Sequence, residues 1–384
     1  MSSTRQWSYK IGSIRGIPIE LHLTFLIILL ALIWLFAVSD YRIKTLGITL
    51  GFGGMDISTG LKYLLGAITS VLFFSTLLFH EFSHSFVAQS YGVHIRSITL
   101  FVIGGVAQME EIPREPRMEA RISAAGPALS LGIGILTSAI YYLFGPVSPA
   151  ETEATLKNAA LIMVGIIAFY NIFLGLFNLV PAFPMDGGRI LRAWFAMRMP
   201  YLEATRRAVS VGKSFAIAMG ILGLFVNPIL IVIAIFIYLG ASGEEKATVI
   251  SVTLEGVKVR DVMTSVPDVI YVPPDWTLEE LLDVMFKTKH MGYPVQESPT
   301  SPVLGVVTFA DVQRVPAAER ATTRVEDVMK REIVSIKPDA DAFDAFKLMS
   351  SRNLGRLIVL EDGQIEGIVS RTDLMRAIQF RGEY

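Results

Sequence analysis

Two histidines four residues apart lie inside the apolar run Leu77-Leu78-Phe79-His80-Glu81-Phe82-Ser83-His84-Ser85-Phe86. On a helix that spacing sets both imidazoles on one face, about one turn apart. This is the geometry of two ligands to one zinc ion. Glu81, beside the same face, can take a proton from a water held there. The chain contains no cysteine, which excludes thiolate zinc sites, disulfides and a cysteine nucleophile. Any metal is therefore held by His, Asp or Glu. Hydrocarbon tolerates such side chains only when they face protein or water and have partners, so His80, Glu81 and His84 are functional candidates. The plainer alternative, histidines bonded across to neighbouring helices, would leave three polar groups to be satisfied in lipid.

A hydrolytic zinc site has three protein ligands and an open fourth position. The missing ligand is sought in Asn178-Leu179-Val180-Pro181-Ala182-Phe183-Pro184-Met185-Asp186-Gly187-Gly188-Arg189. Pro181 and Pro184 end the apolar helix before it, and broken backbone at membrane depth survives only when buried in protein or lining a watery cavity. Asp186 opens the helical pattern Ile190 to Met199. Taken alone it is an N-cap; next to a two-histidine site short of a ligand, it is the third ligand. His22, His94 and His290 lack partner spacing and are read as interfacial or loop residues. A serine mechanism has no elbow around Ser83, and an aspartate dyad needs two acids where this depth offers only Asp186.

The elements that position these residues are membrane helices. Of 384 residues, 52% are hydrophobic and 18% charged, against roughly 25% charged in soluble proteins, and the mean hydropathy is +0.52. Residues 1–240 carry 17 Lys+Arg and 12 Asp+Glu, the remainder 17 and 23. A membrane half is thus followed by a soluble, acidic one, and no basic cluster stands clear of the membrane, so nucleic acid is not an expected partner. Apolar segments at Leu21–Val38, Leu61–Ala88, Ile122–Phe144, Ala159–Val180, Ala208–Phe225 and Pro228–Leu239 predict six spans, mostly near the ~20 residues that cross a bilayer. The first has no cleavage site and stays as a helix. With the N-terminus inside, twelve Lys and Arg flank the inner ends and four the outer. Both termini are then cytoplasmic, and the default location is a prokaryotic plasma membrane.

The paired motifs resemble those of the site-2 protease family of intramembrane zinc metalloproteases. The resemblance covers residues 1–240 and includes Gly104-Gly105-Val106-Ala107 and Ala124-Ala125-Gly126-Pro127. It implies one zinc ion held by His80, His84 and Asp186, Glu81 as general base, and Asn178 donating to the oxyanion or orienting the zinc aspartate. By itself Asn178 could merely satisfy backbone freed by Pro181. Phe183-Pro184-Met185 departs from the two prolines and leucine of many members, an apolar exchange that touches no ligand. Ser97 to Met109 is β-branched and then glycine-punctuated, a hairpin or re-entrant strand with an edge. A transmembrane substrate captured there by strand addition, against Gly104 and Gly105, would present its backbone to the zinc.

The soluble half is a repeat. Val259-Arg260-Asp261-Val262-Met263 recurs as Val325-Glu326-Asp327-Val328-Met329, and Gly305-Val306-Val307-Thr308-Phe309-Ala310-Asp311 as Gly367-Ile368-Val369-Ser370-Arg371-Thr372-Asp373. Each block reads strand, helix, strand, strand, helix. The pair resembles tandem CBS domains, which implies clefts for adenine nucleotide with Thr308, Asp311, Ser370 and Asp373 at ribose and phosphate, and a homodimer through these domains. Both Thr-x-x-Asp and Ser-x-x-Asp are equally capping boxes that need no ligand. The chain is thus expected to be a polytopic α-helical membrane protein with a re-entrant edge β segment (1–240), a linker (241–254), and a soluble α+β tandem CBS module (255–316 and 322–384). The expected function is regulated intramembrane proteolysis in contact with membrane lipid. The rivals are a CBS-regulated transporter or channel, which would need more pore-lining polar groups than these spans hold, and a catalytically inactive scaffold, which would not need all four of His80, Glu81, His84 and Asp186.

Overall fold

The computed structural model describes residues 7–102, 104–109, 114–145, 155–299 and 301–382. The chain forms two compact units that divide between Thr248 and Val249. The first unit opens on a hairpin, β1 (Ser8–Ile14) and β2 (Ile17–His22), turned at Arg15 and Gly16. Both have positive φ, 48° and 81°, as the tight turns that match strand twist require. Ile17 and Ile19 are buried while Pro18 and Glu20 are half-buried, the period of two that makes this a strand. Helix α1 (Phe25–Val38) therefore starts four residues later than the Leu21 expected from hydropathy. A two-residue pair, β3 (Arg42–Ile43) and β4 (Ile48–Thr49), precedes α2 (Thr59–Ser90). The hydroxyl of Ser58 caps α2 by accepting from the Leu61 amide at 3.4 Å.

Next come β5 (Ile95–Phe101), β6 (Gly104–Met109), α3 (Pro116–Leu143), α4 (Leu156–Asn178), α5 (Asp186–Ala196), α6 (Tyr201–Phe225) and α7 (Ile229–Leu254). Among the described residues, helices α2, α3, α4 and α6 are long and apolar enough to cross a membrane, four where the sequence suggests six. Two effects account for the difference. Strand β2 takes the start of the first apolar segment, leaving α1 only 14 residues, and the apolar run of α7 stops at Glu244, Glu245 and Lys246. Residues 241–254, expected as a linker, are the end of α7. Ala241, Glu244, Glu245, Lys246 and Ala247 are good helix formers that carry the helix past Gly243. Only 33% of the apolar window of α2 and of α3 is buried, while Leu64, Ile135, Leu136 and Leu224 point outward and are exposed. An apolar exterior of this kind is suited to lipid; the protein is a membrane protein.

The strands order as β1-β2-β5-β6, parallel at β2–β5 and antiparallel elsewhere. Ile17, Ile19, Ile95 and Ile98 from this sheet pack with Phe82 and Ala88 of α2 and Ile122 of α3; each buried isoleucine is worth about 1.5–3 kcal/mol. The sheet is thereby fixed against α2, which carries His80, Glu81 and His84, and against α3, with β6 at its edge. The β5–β6 pair is the hairpin expected between Ser97 and Met109, with residue 103 outside the described residues.

The second unit contains α8 (Val259–Val262), β7 (Thr264–Ser265), α9 (Leu278–Thr288), β8 (Gly292–Val295), β9 (Gly305–Thr308), α10 (Phe309–Gln313), α11 (Val325–Val328), β10 (Ser335–Ile336), α12 (Ala342–Arg352), β11 (Arg356–Glu361), β12 (Gln364–Ser370) and α13 (Arg371–Gly382). Its two cores cut across the repeat. One joins Val272, Leu278, Tyr293, Val307 and Val312 to Val325 of the second block. The other joins Leu254, Val257 and Val259 to Ala342, Met349, Leu357, Val369 and Leu374. Strand β7 accordingly pairs with β12, and Val306 bridges to Lys330. The four-residue helices α8 and α11 bury little by themselves, and each closes the apolar face of the other block. Division at 255–316 and 322–384 follows the repeat, whereas packing exchanges the opening segments.

Candidate metal centre

His80 and His84 lie on the buried stripe of α2, with Gly66, Ser70, Phe74, Leu77 and Ala88, the 3.6-residue periodicity that turns one helix face inward. Asp186 is the first residue of α5, brought in where Pro181 and Pro184 have ended α4. Its Oδ2 lies 3.5 Å from His80 Nε2 and 3.2 Å from His84 Nε2, and the two Nε2 atoms are 3.2 Å apart. Among the described residues this is the group of His, Asp and Glu side chains that could hold a metal.

The hydrogen bonds behind these atoms decide what they can do. His84 Nδ1 lies 2.6 Å from the Ile122 carbonyl; a carbonyl only accepts, so Nδ1 carries the proton and the neutral ring turns its Nε2 lone pair inward. His80 Nδ1 is 2.9 Å from Ser130 Oγ. With both Nε2 atoms unprotonated, two imidazole lone pairs and a carboxylate oxygen face one another, an arrangement that a cation between them would satisfy. Zinc bonds of about 2.0–2.1 Å in a tetrahedron separate neighbouring ligand atoms by about 3.3 Å, which matches the observed spacing. The donor set fits a hydrolytic zinc site, with a fourth position left open.

Helix α3 supplies the support that the sequence reading missed. Ile122, Gly126 and Ser130 recur every four residues, one face of the helix, and that stripe was the available signal. A Cβ added at Gly126 would lie 2.1 Å from His84 Nε2 and 2.6 Å from His80 Nε2, so α3 approaches only because this residue has no side chain. Ser130→Ala removes the outer partner of His80 and should weaken zinc binding by about 10–100-fold, read by chelator competition on a chain that still melts cooperatively.

Glu81 is half-buried beside the cluster, and the edge strand lies against it. A Cβ at Gly105 would stand 2.5 Å from Glu81 Cγ and 3.1 Å from its Oε1. Gly104 pairs with Phe101 at the hairpin turn. Asn178 is the last residue of α4, and its Nδ2 donates to the Leu174 carbonyl at 3.1 Å. That bond turns back one helical turn within α4 and does not reach the Phe177 carbonyl, the acceptor that an amide at position 181 would have used; Phe177 accepts from the Val180 amide instead.

Comparison with known proteins places this arrangement. Residues 68–221 match the family model of peptidase family M50, and residues 259–318 and 325–380 each match the CBS domain. The zinc metalloprotease MJ0392 of Methanocaldococcus jannaschii is 35% identical over 373 residues, 97% of this chain and 96% of that protein. The chain belongs to peptidase family M50. Putative zinc metalloprotease Rip3 of Mycobacterium tuberculosis is 30% identical over 384 residues, covering 96% of this chain and 92% of that one. The solved site-2 protease from Methanocaldococcus jannaschii is 37% identical, spanning 62% of this chain and 95% of that one, with a TM-score of 0.41. The protein is thus an M50 zinc metalloprotease of the site-2 type with tandem CBS domains, and the family implies a zinc ion.

In the CBS unit of this M50 protease, both motifs form capping boxes. Asp311 Oδ2 accepts from the Thr308 amide at 3.0 Å and from its hydroxyl; Asp373 Oδ2 accepts from the Ser370 amide at 2.9 Å and hydroxyl at 2.6 Å. Two clefts adjoin them. One of about 430 Å³ is lined by Ser370, Asp373, Lys289, His290, Arg356 and Arg376, among others. A second of about 340 Å³ includes Thr308, Phe309, Lys330 and again Arg356. The Arg356 guanidinium donates to the Gly292 carbonyl, and burial lowers its pKa from the usual value against the pull of Tyr293 and Asp373. A desolvated cation of this kind favours an anionic partner.

Proposed function

We propose that the chain hydrolyses peptide bonds of transmembrane or membrane-adjacent substrates, with zinc held by His80, His84 and Asp186 and with Glu81 as general base. The convergence of the three donor atoms within 4.8 Å of one another, two from the apolar helix α2 and one from the start of α5, beside a glycine-lined strand edge, carries this reading. When bound, zinc supplies Lewis acidity that polarises the scissile carbonyl and eases deprotonation of water. Glu81 takes the proton of the attacking water and delivers it to the leaving amine. A helical substrate hides its carbonyls, so the peptide is captured extended, adding a strand at β6. Gly104 and Gly105 keep that edge free of side chains and hold the peptide against Glu81. Asn178 releases its bond to Leu174 and donates to the charge that develops on the carbonyl oxygen.

The spans number six when α1 and the apolar part of α7 are added to the four long helices, and the twelve-to-four distribution of Lys and Arg supports cytoplasmic termini. Relatives in an archaeon and a bacterium support a prokaryotic plasma membrane. The CBS clefts take adenine nucleotide, with Arg356 and the neighbouring cations toward the phosphates and Thr308, Asp311, Ser370 and Asp373 at ribose or phosphate, and occupancy regulates proteolysis. Phe286 and Phe380, 87% and 72% exposed on α9 and α13, would be covered in a homodimer.

The test uses the whole chain in detergent with a generic single-span substrate. About one zinc per chain is expected, since three ligands and one open position form one site. Chelation should stop cleavage, added zinc should restore it, and millimolar ATP, ADP or AMP should change its rate. A folded chain that holds no zinc would sink the ligand assignment. Absence of any nucleotide binding or rate effect would reduce the CBS pair to a docking element.

A further inference from the structure

Three elements meet at a buried charge that the zinc chemistry does not use. Arg192 of α5 is 5% exposed and Glu119 of α3 is 2% exposed. Arg192 donates to Glu119 Oε1 from Nε at 2.9 Å and from Nη2 at 2.5 Å. Its Nη1 donates to Glu244 Oε1 of α7 at 2.7 Å. The guanidinium lies 5.0 Å from the ring of Phe183 and 4.9 Å from that of Tyr201. Phe183 stands three residues before Asp186. Glu119 stands one helical turn before Ile122, the residue whose carbonyl holds His84.

We propose that Arg192 is a positioning residue for the metal site: it locks α5, and with it Asp186, to the part of α3 that orients the histidines. The inference rests on the ligand assignment above. Asp186 and the histidines are about a hundred residues apart in sequence, so their register depends on how α5 docks against α3. A planar fork with ring faces on it fixes both distance and angle, which apolar packing fixes less tightly. Glu119 Oε2 has no hydrogen-bond partner among the described residues, and desolvation offsets much of the Coulombic gain of a buried ion pair. Position is what it contributes.

The experiment compares the native chain with the triple variant Arg192→Met/Glu119→Gln/Glu244→Gln, which removes the buried cation together with both carboxylates that it pairs with. Melting temperature, zinc affinity by chelator competition, and kcat and KM are measured on each. The expected result is a folded chain with about 10–100-fold weaker zinc binding and a kcat reduced at unchanged KM. If the triple variant does not fold, Arg192→Lys, which keeps the charge and loses the fork, is measured with the same expectation. A folded variant with native zinc affinity and native kcat overturns the inference while leaving the ligand assignment intact. A native chain without zinc overturns both.

Discussion

Glu81→Gln should leave zinc content at the native level and lower the rate of cleavage by about 10²–10⁴-fold, the usual contribution of a positioned general base. Glutamine has the shape of the carboxylate, so it fits the space bounded by Gly105, where even one added carbon would come within 2.5 Å of the Glu81 side chain. Its amide nitrogen donates and its oxygen is too weakly basic to accept a proton from water. The three donor atoms that face one another belong to His80, His84 and Asp186, so the metal should stay. Metal analysis and single-turnover cleavage of the same preparation check both halves. Loss of zinc together with activity would make Glu81 a ligand or a structural residue; retention of both would move the base elsewhere.

Gly126→Ala should have an effect of similar size on the metal itself. The added methyl would sit 2.1 Å and 2.6 Å from the two Nε2 atoms, well inside contact distance, so either the imidazoles turn away or α3 retreats. Retreat would stretch the bonds from His84 to Ile122 and from His80 to Ser130, and each lost outer partner costs about 10–100-fold in affinity. A fall of about 100-fold or more in zinc binding is therefore expected, with the overpacking itself costing about 1–3 kcal/mol of stability. Gly132→Ala is the control on the same helix. Nothing lies within 4 Å of a Cβ there, so it should keep zinc and gain up to about 1 kcal/mol of helix propensity. Equal zinc affinity in the two variants would mean that α3 does not press on the site.

Much of this chemistry is legible in the sequence because it is local. The four-residue spacing of His80 and His84 fixes a shared helix face wherever the helix lies. Pro181 and Pro184 end a helix by removing amide donors, whatever surrounds them. The β-branched residues and glycines of residues 97–109 signal a hairpin or re-entrant strand, and the recurrence of Val-x-x-Val-Met and of the capping-box segments specifies a duplicated unit. At the first apolar segment hydropathy misses the strand that precedes α1, because it scores apolar content and not period. The run from Leu21 continues the apolar residues of a strand, and Ile17 and Ile19 reveal that strand only through an alternation set against α2 and α3.

What the tertiary structure alone decided depends on residues far apart in the chain. Asp186 could have been an isolated N-cap, and its partnership with the histidines depends on α5 docking against α3. Ser130 and the Ile122 carbonyl became partners of His80 and His84 because Gly126 let two backbones approach. The ion pair of Arg192 and Glu119 links side chains that nothing in their local sequence connects. The exchange of α8 and α11 between the two CBS cores has the same cause: short amphipathic segments carry the information that they need to be covered, and only the packed chain determines what covers them.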